Sequence, residues 1–277
     1  MNNIRRLAFI GGGNMAAALI GGLTKRGQSK ERIVVADPNR EQLDRLVRDF
    51  GVTPAADNAA AAGGAEVIVL AVKPQQMRSV ALGLAPHLGT PAPLVISVAA
   101  GIPHAALTRW FGTRVPVVRT MPNRPALIGA GVSGLFADPQ VSTAQRELAA
   151  GVMRAAGAAV WVEREADLDV VTALSGSGPA YFFLLAEQMM QAAIAQGLQP
   201  EAARQLAVGT LHGAGALAGA SDGDLARLRR EVTSKGGTTE AALEAFAAAD
   251  FGAIVARAMH AATQRSRELA ARFGDVG

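Results

Sequence analysis

The sequence predicts an α/β domain built on a mostly parallel sheet over residues 1–164, followed by an all-α domain over residues 165–277. Three observations carry this expectation. Short, wholly apolar runs alternate with helix-length segments in the first part of the chain, each run ends in a small or turn-forming segment, and no convincing strand follows Asp169. Apolar runs of that length, bounded by turns, suit strands buried on both faces. Alternating with helices, they assemble as a parallel sheet covered on both sides.

Leu7-Ala8-Phe9-Ile10 is the first such run, and it enters Gly11-Gly12-Gly13-Asn14-Met15-Ala16 ahead of a helical Ala/Leu/Ile segment. The spacing is G-x-G-x-x-A. The first glycine makes the tight turn, the second lets a pyrophosphate approach the backbone, and Ala16 lets the helix pack close to the strand. A glycine-rich turn alone says little, but between a strand and a helix it is the dinucleotide-binding arrangement of a Rossmann domain. The second run, Ile33-Val34-Val35-Ala36, ends at Asp37-Pro38-Asn39-Arg40, where such folds read the adenosine ribose. Asp37 suits the 2′-hydroxyl of NAD, whereas Asn39 and Arg40 suit the 2′-phosphate of NADP. Both signals are present, with the balance slightly toward NADPH and NADH retained as an alternative.

A helix through about Phe50 precedes Val67-Ile68-Val69-Leu70-Ala71-Val72, which runs into Lys73-Pro74. Leu94 to Val98 is the next strand, followed by Ala99-Ala100-Gly101, and Val115 to Arg119 leads into Thr120-Met121-Pro122-Asn123-Arg124-Pro125. Ligands of open α/β sheets sit at such carboxyl ends. Helix and strand continue to Val160-Trp161-Val162. Beyond Glu163 to Asp167, Ser175-Gly176-Ser177-Gly178-Pro179 interrupts an apolar helical pattern that resumes to Ala195. Helices are expected near 201–218, 224–230, 239–249 and 251–273. So much apolar surface on so short a helical domain points to burial against a second copy, hence a homodimer or larger homo-oligomer.

Between two of those helices lies Thr233-Ser234-Lys235-Gly236-Gly237-Thr238-Thr239. Two glycines free the backbone, and the threonines precede a helix-forming run from Glu240. A loop feeding a helix in this way presents unpaired N–H groups and partial positive charge to a small carboxylate or phosphate.

Composition removes several alternatives. With 27 basic and 23 acidic residues and no basic stripe, nucleic acid is not an expected partner. The absence of cysteine excludes disulfides and thiolate chemistry, and His87, His104, His212 and His260 lack metal-ligand spacing. Arg5-Arg6 and the apolar run to Leu23 imitate a secretory leader, but the glycines and Asn14 within that run fit a folded unit better. No uninterrupted apolar stretch of bilayer length stands out elsewhere, so a cytoplasmic protein without membrane partners is expected.

Taken together, Phe9-Ile10-Gly11-Gly12-Gly13-Asn14-Met15, Ala71-Val72-Lys73-Pro74, Met121-Pro122-Asn123, Ser175 to Tyr181 and Ser234 to Thr239 resemble, in order and along essentially the whole chain, the pyrroline-5-carboxylate reductases. The resemblance implies reduction of a cyclic imine to L-proline, the last step of proline synthesis, with NAD(P)H as donor and a helical domain interlocked with its partner. It places Gly11, Gly13, Asn14 and Met15 at the pyrophosphate, Asn58 near the adenosine ribose, and Val72, Lys73 and Pro74 along the cofactor. Met121, Pro122 and Asn123 lie near the nicotinamide in that scheme. Ser234 and the N–H groups of Gly236, Gly237 and Thr238 take the substrate carboxylate, and Thr239 is the catalytic hydroxyl beside the ring nitrogen. Arg124 and Lys235 depart from the family's usual Thr and Pro, which leaves another cyclic imine open as substrate. A nucleotide-binding regulator without catalysis and a β-hydroxyacid dehydrogenase are the rivals. The latter needs a lysine between Ser175 and Gln196, and there is none.

Overall fold

A computed structural model describes residues 4–274. Eight strands form one sheet: β1 (Leu7–Ile10), β2 (Ile33–Ala36), β3 (Thr53–Pro54), β4 (Val67–Leu70), β5 (Leu94–Ser97), β6 (Val117–Met121), β7 (Gly131–Ala137) and β8 (Gly157–Trp161). Their order is β3-β2-β1-β4-β5-β6-β7-β8, parallel throughout except for the antiparallel pair β6–β7. The helices of this part are α1 (Asn14–Lys25), α2 (Arg40–Phe50), α3 (Asn58–Ala62), α4 (Pro74–Leu84), α5 (His104–Phe111) and α6 (Thr143–Arg154).

The apolar runs bury both faces, as strands covered on two sides must. Leu7, Phe9, Val35 and Val69 point into a core shared with α1, α2 and α6, while Ala8, Ile10, Val34 and Ile68 point into a second core under α3, α4 and α5. Each large side chain fully removed from water in this way contributes about 1.5–3 kcal/mol.

Sequence reading missed β7. Its run contains Gly131 and Gly134, which break the apolar pattern. Tertiary packing explains both: a Cβ on Gly131 would lie 2.8 Å from Ala126 and from the Ala156 carbonyl, and one on Gly134 would lie 2.7 Å from Val171.

By compactness the chain divides into two units, one running to Ser177 and taking in Ala262 onward, the other Gly178–Ala261. The sequence-based boundary after residue 164 marks the end of the strands. The first unit continues past it because α7 (Asp167–Val171) and a π-helical turn, Thr172–Gly176, pack on the sheet through Val171 and Ser175. The end of the last helix, α12 (Phe251–Gly274), also belongs there: Ser266 donates to Asp169 Oδ1 at 2.7 Å, and Arg109 donates to the Gly274 carbonyl at 3.0 Å.

The second unit holds α8 (Gly178–Ala195), α9 (Pro200–Gly219), α10 (Leu225–Glu231), α11 (Thr238–Ala248) and the start of α12. Helices α8 and α9 run against each other. The expectation that no stretch reaches bilayer length needs correction, because the continuous helical segment Asp167–Ala195 is long and apolar enough by length and composition. Only 17% of its apolar window is buried within one chain.

Candidate functional site

The cofactor residues expected from sequence cluster at the carboxyl ends of parallel strands. Gly11 has φ +96°, and a Cβ there would lie 2.6 Å from the Ala71 carbonyl oxygen and 3.2 Å from Val72. Only glycine fits both the backbone and the gap. Its N–H donates to the Ala36 carbonyl at 2.8 Å, and Ala71 N–H donates to the Ile10 carbonyl at 2.8 Å, fixing the turn between β2 and β4. By contrast, a Cβ on Gly13 would meet nothing nearer than Gln42 at 4.0 Å. Among the described residues no group accepts from the N–H of Gly13, Asn14, Met15 or Ala16, so four donors stand free at the start of α1. Gly12, Gly13, Asn14 and Ala17 line a cleft of about 380 Å³ with Gln42, Arg45 and Leu46 of α2. Arg45 was not foreseen, because on a helix so rich in charge it reads as a solvated side chain.

At the end of β2, Asp37 Oδ2 accepts from Gly12 N–H at 2.6 Å and Oδ1 accepts from Asn39 N–H at 2.7 Å. Asn39 caps α2 by accepting from Gln42 N–H at 3.2 Å, and Arg40, the first residue of that helix, is exposed and pairs with Asp44. Asn58 opens α3 behind its cap Asp57, Lys73 occupies the N-cap position of α4 without a side-chain capping bond, and Pro74 occupies the first turn of that helix, where its missing N–H costs nothing.

The end of β6 is tied to the π-helical turn. Asn123 is buried; its Oδ1 accepts from Val132 N–H at 2.9 Å, and its Nδ2 donates to the Ser175 carbonyl at 3.2 Å. A Cβ on Gly176 would lie 2.7 Å from the Met121 methyl. Pro122 is buried and Arg124 exposed. Asn123 is thus a brace whose amide is spent on the fold, and Ser175 and Gly176 belong to the same cluster. In the sequence those small residues register only as an interruption of a helical pattern and as part of the family resemblance. A π turn, frequent at functional sites, leaves no sequence periodicity to find.

In the second unit, Ser234, Gly236 and Gly237 lie between α10 and α11, and Thr238 and Thr239 open α11. Gly236 has φ +71°. Its N–H donates to Glu240 Oε2 at 2.6 Å, and Gly237 N–H donates to the Ser234 carbonyl at 3.0 Å. Two of the three expected backbone donors are therefore already engaged within the loop. Among the described residues no group accepts from the N–H of Thr238, Thr239 or Glu240, the first turn of α11. Lys235 is exposed.

Residues 165–269 match the family described as "Pyrroline-5-carboxylate reductase dimerisation", and residues 6–101 match "NADP oxidoreductase coenzyme F420-dependent". A pyrroline-5-carboxylate reductase of Pseudomonas aeruginosa is 50% identical, over 97% of this chain and 98% of that protein. The chain belongs to the pyrroline-5-carboxylate reductase family. A solved pyrroline-5-carboxylate reductase from Coxiella burnetii superposes with a TM-score of 0.93 at 39% identity, covering 97% of this chain and 99% of that one. One from Plasmodium falciparum with NADP bound gives 0.82 at 28% identity, covering 98% and 99%. As a member of this reductase family, the chain has a glycine turn that fits a dinucleotide. Gly11 closes the turn, Gly13 leaves open space above it, and the start of α1 offers uncommitted donors.

Proposed function

We propose that this protein reduces 1-pyrroline-5-carboxylate to L-proline with NADPH, NADH serving as an alternative donor. The observation that carries the reading is the match to the Pseudomonas aeruginosa reductase over 97% of this chain, in a sequence that holds Gly11 and Gly13 in the first turn and Ser234 and Thr239 in the later loop. In this reading Gly11, Gly13, Asn14 and Met15 face the pyrophosphate, Asn58 the adenosine ribose, and Val72, Lys73 and Pro74 the length of the cofactor. Met121 and Pro122 border the nicotinamide, with Asn123 holding them to the Ser175 turn.

A reduced nicotinamide, when bound, supplies the hydride. The chain's own residues orient the substrate. The Ser234 hydroxyl and the first-turn N–H groups of α11 take its carboxylate, a task suited to a loop whose Gly236 N–H already holds the carboxylate of Glu240. The Thr239 hydroxyl lies beside the ring nitrogen and accepts from its N–H once the imine has taken a proton from water, so that as the imine carbon gains hydride the π pair of the C=N bond passes to a nitrogen held in a fixed direction. That nitrogen stays in the ring as the secondary amine of the product and keeps the proton it took. Alignment of this kind demands no strong general acid.

The same reading makes residues 165–277 the dimerisation and substrate-binding part, the functional assembly a homodimer or larger, and the protein cytoplasmic. The test is direct: purified protein given 1-pyrroline-5-carboxylate is expected to oxidise NADPH and release proline in equal amounts. Nicotinamide oxidation only with a different cyclic imine would overturn the substrate, and none with any imine would favour a regulator.

A further inference from the structure

We infer that Glu240 is a positioning residue of the substrate loop: by holding the Gly236 N–H it fixes the turn that presents the Ser234 hydroxyl and the first-turn N–H groups of α11 to the substrate carboxylate. The inference rests on the reductase reading above and goes beyond it, assigning a task to the Glu240 side chain. Gly237 stands at the N-cap of α11 and has no side chain with which to cap it. Glu240 is the third residue of that helix, a place from which a carboxylate reaches back to the chain ahead of the helix. The Gly237 N–H is spent on the Ser234 carbonyl at 3.0 Å, and Glu240 Oε2 accepts from the N–H one residue earlier, that of Gly236, at 2.6 Å. So short a bond to an ionised acceptor is of the strong kind, and the partial positive charge of the helix start favours a carboxylate there.

The bond restrains a backbone with room to move. Gly236 has φ +71°, and a Cβ there would meet nothing within 4 Å. Glycine is selected at this position by the backbone angle and not by lack of space, and a glycine in open space has many other angles to visit. Gly237 is the opposite case. A Cβ there would lie 2.5 Å from Ser234 Oγ and 3.0 Å from the Ser234 carbonyl oxygen, so the hydroxyl sits where a side chain of residue 237 would be. The bonds from Gly236 to Glu240 and from Gly237 to Ser234 together close the loop, and the Ser234 hydroxyl keeps its place while both are made. The Gly236 N–H, given to Glu240, is withdrawn from the substrate, whose carboxylate is left to Ser234 and the first turn of α11.

The experiment measures KM and kcat of the full-length chain for 1-pyrroline-5-carboxylate and for NADPH in three variants. Glu240→Ala is expected to raise the KM of the imine about tenfold, more than it lowers kcat, while the KM of NADPH stays within about twofold. Glu240→Gln, which keeps an acceptor oxygen at the same reach, is expected to restore the imine KM to within about threefold. Glu240→Asp, which keeps the charge and loses the reach, is expected to behave as the alanine variant. An unaltered or lowered imine KM in Glu240→Ala overturns the inference, and so does a rise shared equally by the imine and NADPH. Rescue by Asp and not by Gln overturns it as well, because charge and not the held turn would then be what matters. If the alanine variant melts too low to assay, the Gln and Asp variants are read by the same ordering. Failure of the unaltered chain to oxidise NADPH with any imine overturns the proposed function and this inference with it. Turnover with the wrong ordering of variants overturns this inference alone.

Discussion

The two units of this chain are built on opposite terms. In the first, Leu7, Phe9, Ile10, Leu19 and Ile68 are entirely removed from water, and both faces of the sheet are covered by the chain's own helices. In the second, Gly178 and Ala203 are the only buried residues among the described ones, while Phe182, Phe183 and Leu206 are each more than half exposed. Apolar faces of that extent on helices this long are interfaces, and a region of this chain matched to a dimerisation family is where they occur. The difference teaches that one half of the molecule carries its stability within a single chain, and the other half carries it between copies.

The largest effect follows from charging that surface. Phe183→Asp is expected to abolish self-association, since burying an unpaired carboxylate in an apolar interface costs upward of about 4 kcal/mol. Light scattering reads it, and an unchanged mass at micromolar protein would break the contrast. Truncation sharpens the same comparison. Phe9→Ala is expected to cost about 3–5 kcal/mol in chemical unfolding, independent of protein concentration. Phe183→Ala is expected to produce a loss that grows on dilution, because its cost is paid in association. Equal concentration dependence for the two would remove the distinction.

A smaller effect belongs to the substrate loop. Thr239→Ala is expected to lower kcat about 10- to 100-fold, the loss of one directed hydrogen bond in the transition state, while unfolding and association are retained. Unchanged turnover would take Thr239 out of the mechanism. The smallest concerns the start of α9. Hydrogen bonds from Arg204, and then from Gln205, hold the Glu201 carboxyl down at about 2. A folded-state value below the usual 4.5 means that its stabilisation is complete above that range and is lost as pH falls toward about 2. Glu201→Gln should therefore lower the melting temperature slightly at neutral pH and not at all near pH 2. A difference that persists in acid would assign the effect to something other than charge. Being fully solvated, this pair acts weakly on either unit.

Much of this was legible in the sequence, for identifiable reasons. β1 and β2 have the predicted bounds because a strand buried on both faces is written as an unbroken apolar run. The turn at Gly11 and the loop at Gly236 were legible because positive φ selects glycine within a local pattern. The bonds joining Asp37 to Gly12 and Asn123 to Ser175 were not, because each unites residues far apart in the chain and depends on the sheet already being formed. β7 hid for the same reason, its glycines answering to neighbours such as Val171 rather than to their own strand.

The contrast between the two units is tested most directly by amide hydrogen exchange followed as the protein is diluted to the point where its mass is that of one 28.4 kDa chain. The account predicts that α8 to α11 lose their protection there while β1, β4 and β5 keep theirs. Full protection of α8 to α11 in the single chain would contradict it.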